Sequence, residues 1–540
     1  MQLFLKLFGP WLQFYYFCFD RIVVNGYQRF FFNESGVVYF FRDVCGVAKI
    51  TKEVVKKRTD DYNQWVASYC SNHQVPLEWA EKGARKEDVV RPTLQQRKAK
   101  AHFGLYYCMM SQEQGPSFRI FEPKYASADK NYSILKAQRS LYRHYYFYIY
   151  DEIIGAMLMR VGSYFPFQVT AYLNGHEFIA RELTRKGVAF TQCDNAIQSV
   201  EDVDALNAAI NAFSPTLIED RIDYWSFHLG PKFSSKERKA CGGLHRFWSI
   251  QQIEYCLNFI FKANRPIRRL FERACELSLY LLCADRIGQI FAQPVRRRVK
   301  GKLQNVLERM KGGMHVFRAY WKHSFLKAYE KGRTFLRLEV VCNNLKDFGL
   351  KKELCEMPAV ATCFKAILDR FAGTKAEHLN VHGHFDLIAK IAVPRQKGKT
   401  KIAGIKLENQ RMMRLMEVLL RRAGGGFGSW KTKELRAAIL DTFGLKPSAY
   451  TLNQIRYDLR KLKAHGMIER TAKTYSYRLT EQGQRTALLL TLFARRVYGP
   501  ICASVIQHRP DPQYAPKSRF EKAYQKVDNS VDELIEALAA

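Results

Sequence analysis

The stretch "SFLKAYEKGRTFLRLEVVCNN", residues 324–344, decides how the centre of the chain is read. Its residues alternate on both sides of Lys331–Gly332. Over 325–330, Phe325, Lys327 and Tyr329 share one face, and over 335–341, Phe335, Arg337, Glu339 and Val341 share one face. Period-two patterning around a Lys-Gly turn reads as a β-hairpin. A tight turn then brings Lys327, Tyr329, Arg337 and Glu339 together. A tyrosine set between cations can lower its pKa and attack a phosphodiester, while a carboxylate binds metal or moves a proton. Tyr329 and Glu339 are therefore the candidate catalytic pair. A solvated sheet face of paired charges is the alternative reading.

Outward from this hairpin, "HYYFYIYDEIIGAMLMRVGSYFPF" holds two strand-like runs around a turn at Asp151–Gly155, a first hairpin. "NGHEFIARELTRKGVAF" reads as a helix opening at Asn174–Gly175, with Asn174 an N-cap and His176 at the helix start. Residues 196–290 and 351–390 read as helices, and 1–135 as a mainly helical region. The apolar start "MQLFLKLFGPWLQFYYFCFD" is interrupted by Lys6, Pro10 and Gln13, so it reads as a buried or amphipathic first helix rather than a membrane span. Asp151, Glu152 and Asp194 are turn acids, which are usually only solvated. "HGHFD" (382–386) has two histidines at i, i+2, a spacing that can ligate a divalent ion, but a glycine sits between them and a surface loop is the simpler reading. No metal ligands are assigned.

Charge points to the partner. Lys+Arg number 86 against 51 Asp+Glu, a net +35 with pI near 9.7. A chain this basic meets a polyanion, nucleic acid before a membrane surface. Residues 401–500 carry 20 basic and 7 acidic residues, a net of +13, and residues 231–340 carry 24 and 8, a net of +16. Two basic regions exceed what one small binding domain needs. "RPIRRLFER" and "PVRRRVKGK", the latter with Arg296, Arg297 and Arg298, read as phosphate tracks or solvated helix faces. Thirteen cysteines with no CxxC pair argue against a disulfide framework or zinc ribbon and suit a reducing cytoplasm.

The segment "YTLNQIRYDLRKLKAHGMIERTAKTYSYRLTEQG", 450–483, supplies the second assignment. As a helix over 451–466, Leu452, Ile455, Leu459 and Leu462 form one packing stripe. Asn453, Gln454, Tyr457, Arg460 and Lys461 point away, with Arg456 and Lys463 on a flank. Amides, a tyrosine and cations suit base edges and phosphates. Two earlier helices (411–422, 431–444), two short strands joined by "TAKT" with Lys473, and a closing helix complete a winged-helix arrangement over 402–500.

"LRKLKAHGMIER…YSYRLTEQG" resembles the winged-helix domains of prokaryotic DNA-binding proteins. The segment around Tyr329 and "LRLE" is similar to rolling-circle replication initiators of plasmids and phages, and that resemblance implies Tyr329 as nucleophile and Glu339 as its acidic partner. "SYFPFQVTAYLNGHEF" and "FLRLEVVCNNLKDF" resemble a family of uncharacterised prokaryotic proteins, which implies no activity.

The expectation is thus an α+β, multidomain chain, mostly helical, with two β-hairpins or a small antiparallel sheet in the centre and a C-terminal winged helix. Its regions are 1–135, a basic α+β region over 136–393, the winged helix over 402–500, and a linker and last helix over 501–540. The expected function is nucleic-acid binding by a mobile-element protein, a replication initiator or transposase that processes DNA. A non-catalytic DNA- or RNA-binding regulator or assembly protein is the alternative. DNA is the first partner and RNA the second, a homo-oligomer stays open, and Mg²⁺ is implied only for a nuclease.

Overall fold

Seventeen residues, Leu12–Gln28, form the long strand β1 at the middle of the largest sheet. Their pattern explains it: Leu12, Phe14, Tyr16 and Cys18 are buried in alternation, and aromatic and β-branched residues fill a pleated, half-buried surface well. The expected first helix is therefore short, Gln2–Phe8, and gives way to a strand soon after Pro10. No described helix is long and apolar enough to cross a membrane.

A computed structural model describes residues 1–81, 83, 85–121, 134–262, 278, 282, 284–293, 302–309, 315–331, 335–379, 391–397, 400–406, 409–423, 429–471 and 475–494, with a few positions between 526 and 537. Arg296, Arg297, Arg298, Lys473, "RPIRRLFER", "HGHFD" and the linker 509–516 lie outside the described residues, as does nearly all of the C-terminal helix reading.

The remaining strands of the sheet are β2 (Leu77–Trp79), β3 (Gly104–Phe121), β4 (Ile134–Asp151), β5 (Gly155–Gly162), β6 (Val169–Leu173), β9 (Arg246–Phe261), β10 (Lys302–Arg309), β11 (His315–Lys322), β12 (Ser324–Lys331) and β13 (Phe335–Cys342). Between β6 and β9, β7 (Phe190–Cys193) and β8 (Ala196–Val200) make a separate two-stranded ribbon. The order is β10-β11-β12-β13-β9-β1-β6-β5-β4-β3-β2, with β2 parallel to β3.

This eleven-stranded mixed sheet corrects the expectation of a mostly helical chain with two hairpins or a small central sheet. Both expected hairpins exist, β4–β5 and β12–β13, but they are pieces of one sheet to which residues 1–135 contribute β1, β2 and β3. The stretch 196–290, read as helical, contains β9, a strand buried on both faces toward its end. Burial on both faces removes the alternation of exposed and buried positions that marks a half-exposed strand.

The chain divides into two compact units, Met1–Phe271 with Glu308–Ala372, and Glu272–Leu307 with Gly373–Ala540. Within the first, the helix Gly175–Arg185 begins at the N-cap Asn174, whose side chain accepts from the backbone of His176 and Glu177. Its first residue packs on β1: a Cβ on Gly175 would stand 2.1 Å from the Phe19 carbonyl oxygen. Gly175→Ala therefore forces the helix off the sheet, and a loss of about 1–3 kcal/mol in chemical denaturation is expected.

Within the second unit, helices Gln410–Ala423, Thr432–Thr442, Leu452–Ala464 and Glu481–Phe493 surround a core of Met412, Leu419, Leu435, Ile439, Ile455, Leu459 and Leu462. The strands β16 (Trp430–Lys431), β17 (Ile468–Arg470) and β18 (Ser476–Leu479) form a sheet in the order β16-β18-β17. The polar stretch 394–401 holds a small hairpin, β14 (Arg395–Lys397) and β15 (Thr400–Ile402).

Candidate functional site

Four neighbouring strands, β12, β13, β9 and β1, place polar residues in two adjacent rows. Direct pairing puts Lys327 opposite Glu339, Glu339 opposite Cys256 and Cys256 opposite Cys18. The next row on that face runs Tyr329, Arg337, Asn258, Tyr16. The side-chain period of two keeps both rows on one side of the sheet. Asp20 joins them from an irregularity in β1: Phe19 faces Tyr255 and Arg21 faces Glu254, so Asp20 is the extra residue of a bulge, a device that re-aims a side chain. His176 comes down onto the rows from the helix whose first residue is Gly175.

Arg337 is the hub, 1% exposed. Its Nε donates to Asn258 Oδ1 at 2.7 Å, one terminal nitrogen lies 3.3 Å from Asp20 Oδ2 and donates to the Tyr329 hydroxyl at 3.5 Å, and the other lies 3.2 Å from His176 Nε2. Asp20 Oδ1 lies 2.9 Å from His176 Nδ1 and accepts from Asn195 Nδ2 at 2.7 Å. Lys331 in turn donates to Asn195. The Tyr329 hydroxyl donates to Glu339 Oε2 at 3.2 Å, and Lys327 bridges Glu339 and Glu254 at 3.2 Å each.

Burial dominates the electrostatics. It would raise Asp20, but Arg337 and His176 outweigh it and hold the carboxyl far below its usual range. Burial and the neighbouring Glu254 push the Glu339 carboxyl well above the usual range. Burial, then Glu339, push the Tyr329 phenol up, the reverse of the expected lowering by flanking cations. The reason is placement: Arg337 faces Tyr329 across the strands, while Lys327 spends its charge on the two glutamates. Burial would lower His176, but Cys256 and Asp20 raise it.

The expected pair thus meets. Tyr329 is half-buried and touches Glu339, itself 1% exposed, with Lys327 and Arg337 beside them. The other candidates separate from this cluster. Asp151 is fully buried as a structural anchor, accepting from the amides of Ile153 and Ile154 and from Arg221 and Trp225. Glu152 contributes its backbone carbonyl, which accepts from Arg181. Asp194 is exposed, 3.7 Å from Lys331. Sequence reasoning missed Asp20, Glu254, Cys18, Cys256, Asn258 and Asn195. The available signal was Glu254, Cys256 and Asn258 at two-residue spacing inside "IEYCLNF", an alternation that marks one strand face.

On the helix Leu452–Ala464, Asn453, Arg456, Tyr457, Arg460 and Lys463 are exposed, and Arg456 donates to Asn453 Oδ1 at 3.4 Å. Gln454 is half-buried and closes a capping box with Thr451. Lys461, expected to point outward, is buried: it lies three residues after Asp458 on the inward side of the helix. Asp458, also buried, accepts from Arg411 Nε at 2.7 Å and from the Tyr450 hydroxyl at 2.8 Å, which ties this helix to its neighbours.

Among the described residues, two groups have metal-ligand composition and spacing: Asp20, Glu254 and Glu339, and Cys18, His176 and Cys256, the ligand atoms of each group lying within 4.8 Å of one another. The carboxylate group offers hard oxygen donors of the kind Mg²⁺ and Mn²⁺ take. Lys327 already neutralises two of its members, and His176, Asn195 and Arg337 engage the third. No protein-family model, curated protein or solved structure matches the chain.

Proposed function

We propose that the protein binds DNA and processes it at the Tyr329 cluster, in the manner of a replication initiator or transposase of a mobile element, and that region 402–500 selects the site. One observation carries the reading. The hydroxyl of the half-buried Tyr329 stands between a guanidinium and a carboxyl whose pKa is raised, among further acidic side chains, in a strongly basic chain. A carboxylate with a raised pKa is a stronger base for a phenolic proton.

In the reaction, the Tyr329 oxygen forms a bond to a backbone phosphorus and the bond from that phosphorus to the departing sugar oxygen breaks. Glu339 accepts the phenolic proton, the departing oxygen takes up one from water, and the strand stays joined as a phosphotyrosine ester. Arg337 offsets charge developing on the phosphoryl oxygens.

Support for the DNA-binding half comes from element order. The helix Gln410–Ala423, β16, two helices, β17 and β18, with β18 between the other strands, follow the order of a winged helix. Exposure of Asn453, Arg456, Tyr457, Arg460 and Lys463 on the third helix supports groove reading by that helix. Joint replacement of Arg456, Tyr457 and Arg460 by alanine should weaken DNA binding about 10–100-fold and reduce the salt slope of the affinity by about two, one for each cation lost.

The test of the reading uses the full chain with supercoiled DNA, single strands and RNA, with and without Mg²⁺ or Mn²⁺. Salt-sensitive binding with a covalent protein–DNA adduct is expected. Binding without cleavage or adduct in every condition overturns the enzymatic half and favours a non-catalytic nucleic-acid-binding protein. Unchanged binding after deletion of 402–500 overturns the assignment of site selection.

A further inference from the structure

We propose that Cys18, His176 and Cys256 form a zinc-class metal site that clamps the helix Gly175–Arg185 onto β1 and β9. This inference stands apart from the phosphodiester chemistry above, because it concerns soft sulfur and imidazole donors and not the carboxylates.

The geometry is that of a preformed ligand set. Cys18 Sγ lies 3.6 Å from Cys256 Sγ and 3.2 Å from His176 Nε2, and Cys256 Sγ lies 4.0 Å from the same nitrogen. A tetrahedral ion with Zn–S about 2.3 Å and Zn–N about 2.0–2.1 Å sets its sulfurs about 3.8 Å apart and each sulfur about 3.6 Å from the nitrogen. The two sulfur–nitrogen edges, 3.2 and 4.0 Å, bracket their value, and the sulfur–sulfur edge, 3.6 Å, falls slightly short of its own. The two cysteines are direct partners across β1 and β9, so the backbone ladder fixes their spacing. The histidine comes from a helix whose first turn is pinned by the Asn174 cap and by the close approach of Gly175 to Phe19.

The surroundings match what a metal-bound histidine needs. Asp20 Oδ1 lies 2.9 Å from Nδ1, which fixes the proton there and turns the Nε2 lone pair toward the sulfurs. All three ligands are buried, at 2%, 0% and 0% exposure for Cys18, His176 and Cys256, so an ion there is shielded from exchange. Two thiolates balance the ion, and Asp20 balances Arg337, so the filled site adds no net charge to the interior. Loading releases the two thiol protons, and Arg337 gives up its contact with Nε2 while keeping Asp20 and Asn258. Two cysteines and one histidine leave the fourth position to water, a set that zinc accepts. The consequence reaches the Tyr329 cluster through Asp20 and Arg337, which the clamp holds in place as positioning residues.

The test is metal content of the full chain, purified without chelator from zinc-supplemented culture. About one zinc per chain is expected, falling below about a tenth in Cys18→Ser and Cys256→Ser, while Cys363→Ser keeps its metal. Since either serine variant could fail to fold, the wild-type chain is also stripped and titrated with Co²⁺ under reducing conditions. A thiolate-to-cobalt charge-transfer band with the visible bands of a tetrahedral site is expected. Folded wild-type protein that carries no metal and shows no such band overturns the proposal. So does metal retained by the Cys18→Ser/Cys256→Ser double variant, or a Cys18–Cys256 disulfide in the isolated protein. None of these readouts depends on DNA cleavage, so the outcome is independent of the Tyr329 proposal.

Discussion

Tyr329→Phe should lose covalent adduct formation and strand cleavage by about 10³-fold or more, the scale seen when a nucleophile is removed from an active site. DNA affinity should stay within about twofold, since the proposed DNA-binding region 402–500 is untouched. The substitution is conservative for folding. The ring stays, and the groups it leaves have other partners: Glu339 keeps Lys327, and Arg337 keeps Asp20, Asn258 and His176. Stability should therefore change by no more than about 1 kcal/mol. A variant that folds, binds and still cleaves at the wild-type rate removes Tyr329 from the reaction. Glu339→Gln adds a second readout. If Glu339 accepts the phenolic proton, the variant loses rate and the pH dependence of cleavage changes, whereas a purely structural glutamate would leave that profile in place.

Arg337→Met should cost about 3–5 kcal/mol in chemical denaturation, because it removes one partner of a buried charge pair and leaves Asp20 with only His176 and Asn195. Arg337 is 1% exposed, so solvent does not screen the loss. The effect carries a pH signature that a packing defect would lack. Arg337 and His176 hold the Asp20 carboxyl far below its usual value, so this group contributes stability that is present above the unfolded pKa of about 4 and is lost as pH falls below it. In Arg337→Met, Asp20 is no longer held down by the guanidinium. The gap between variant and wild type should then be full at neutral pH and narrow in acid below about pH 4. A gap under about 1 kcal/mol at neutral pH, or one that does not narrow in acid, would show that the pair contributes little.

The same residues show why the site was only partly legible. Lys327, Tyr329, Arg337 and Glu339 lie on two strands joined by a short turn, so alternation alone places them together, and the pairings Lys327–Glu339 and Tyr329–Arg337 follow. Asp20 and His176 have no such local signal. One sits at a bulge in a strand whose apolar density resembled a helix, and the other at a helix start 156 positions later. The sign of the Tyr329 shift was equally out of reach, since it depends on how deeply the sheet face is buried and on which anion claims Lys327.

The second unit divides the same way. The helical stripe of Ile455, Leu459 and Leu462 and the exposed run from Asn453 to Lys463 come straight from the 3.6-residue period. Burial of Lys461 and the tie between Arg411 and Asp458 required neighbouring helices that the period does not locate.

By itself, then, the sequence determined local periods, caps, turns and the strongly positive net charge, because each depends on residues within a few positions or on a simple sum. Only the tertiary structure decided that two hairpins belong to one eleven-stranded sheet and that β1 and β9 lie side by side at its centre. It also linked Cys18 and Cys256 to His176, His176 to Asp20, Asp20 to Arg337 and Arg337 to Tyr329 in one run of contacts. Such non-local pairings depend on which buried strand faces satisfy each other's backbone and side chains, and no window of the chain contains that information.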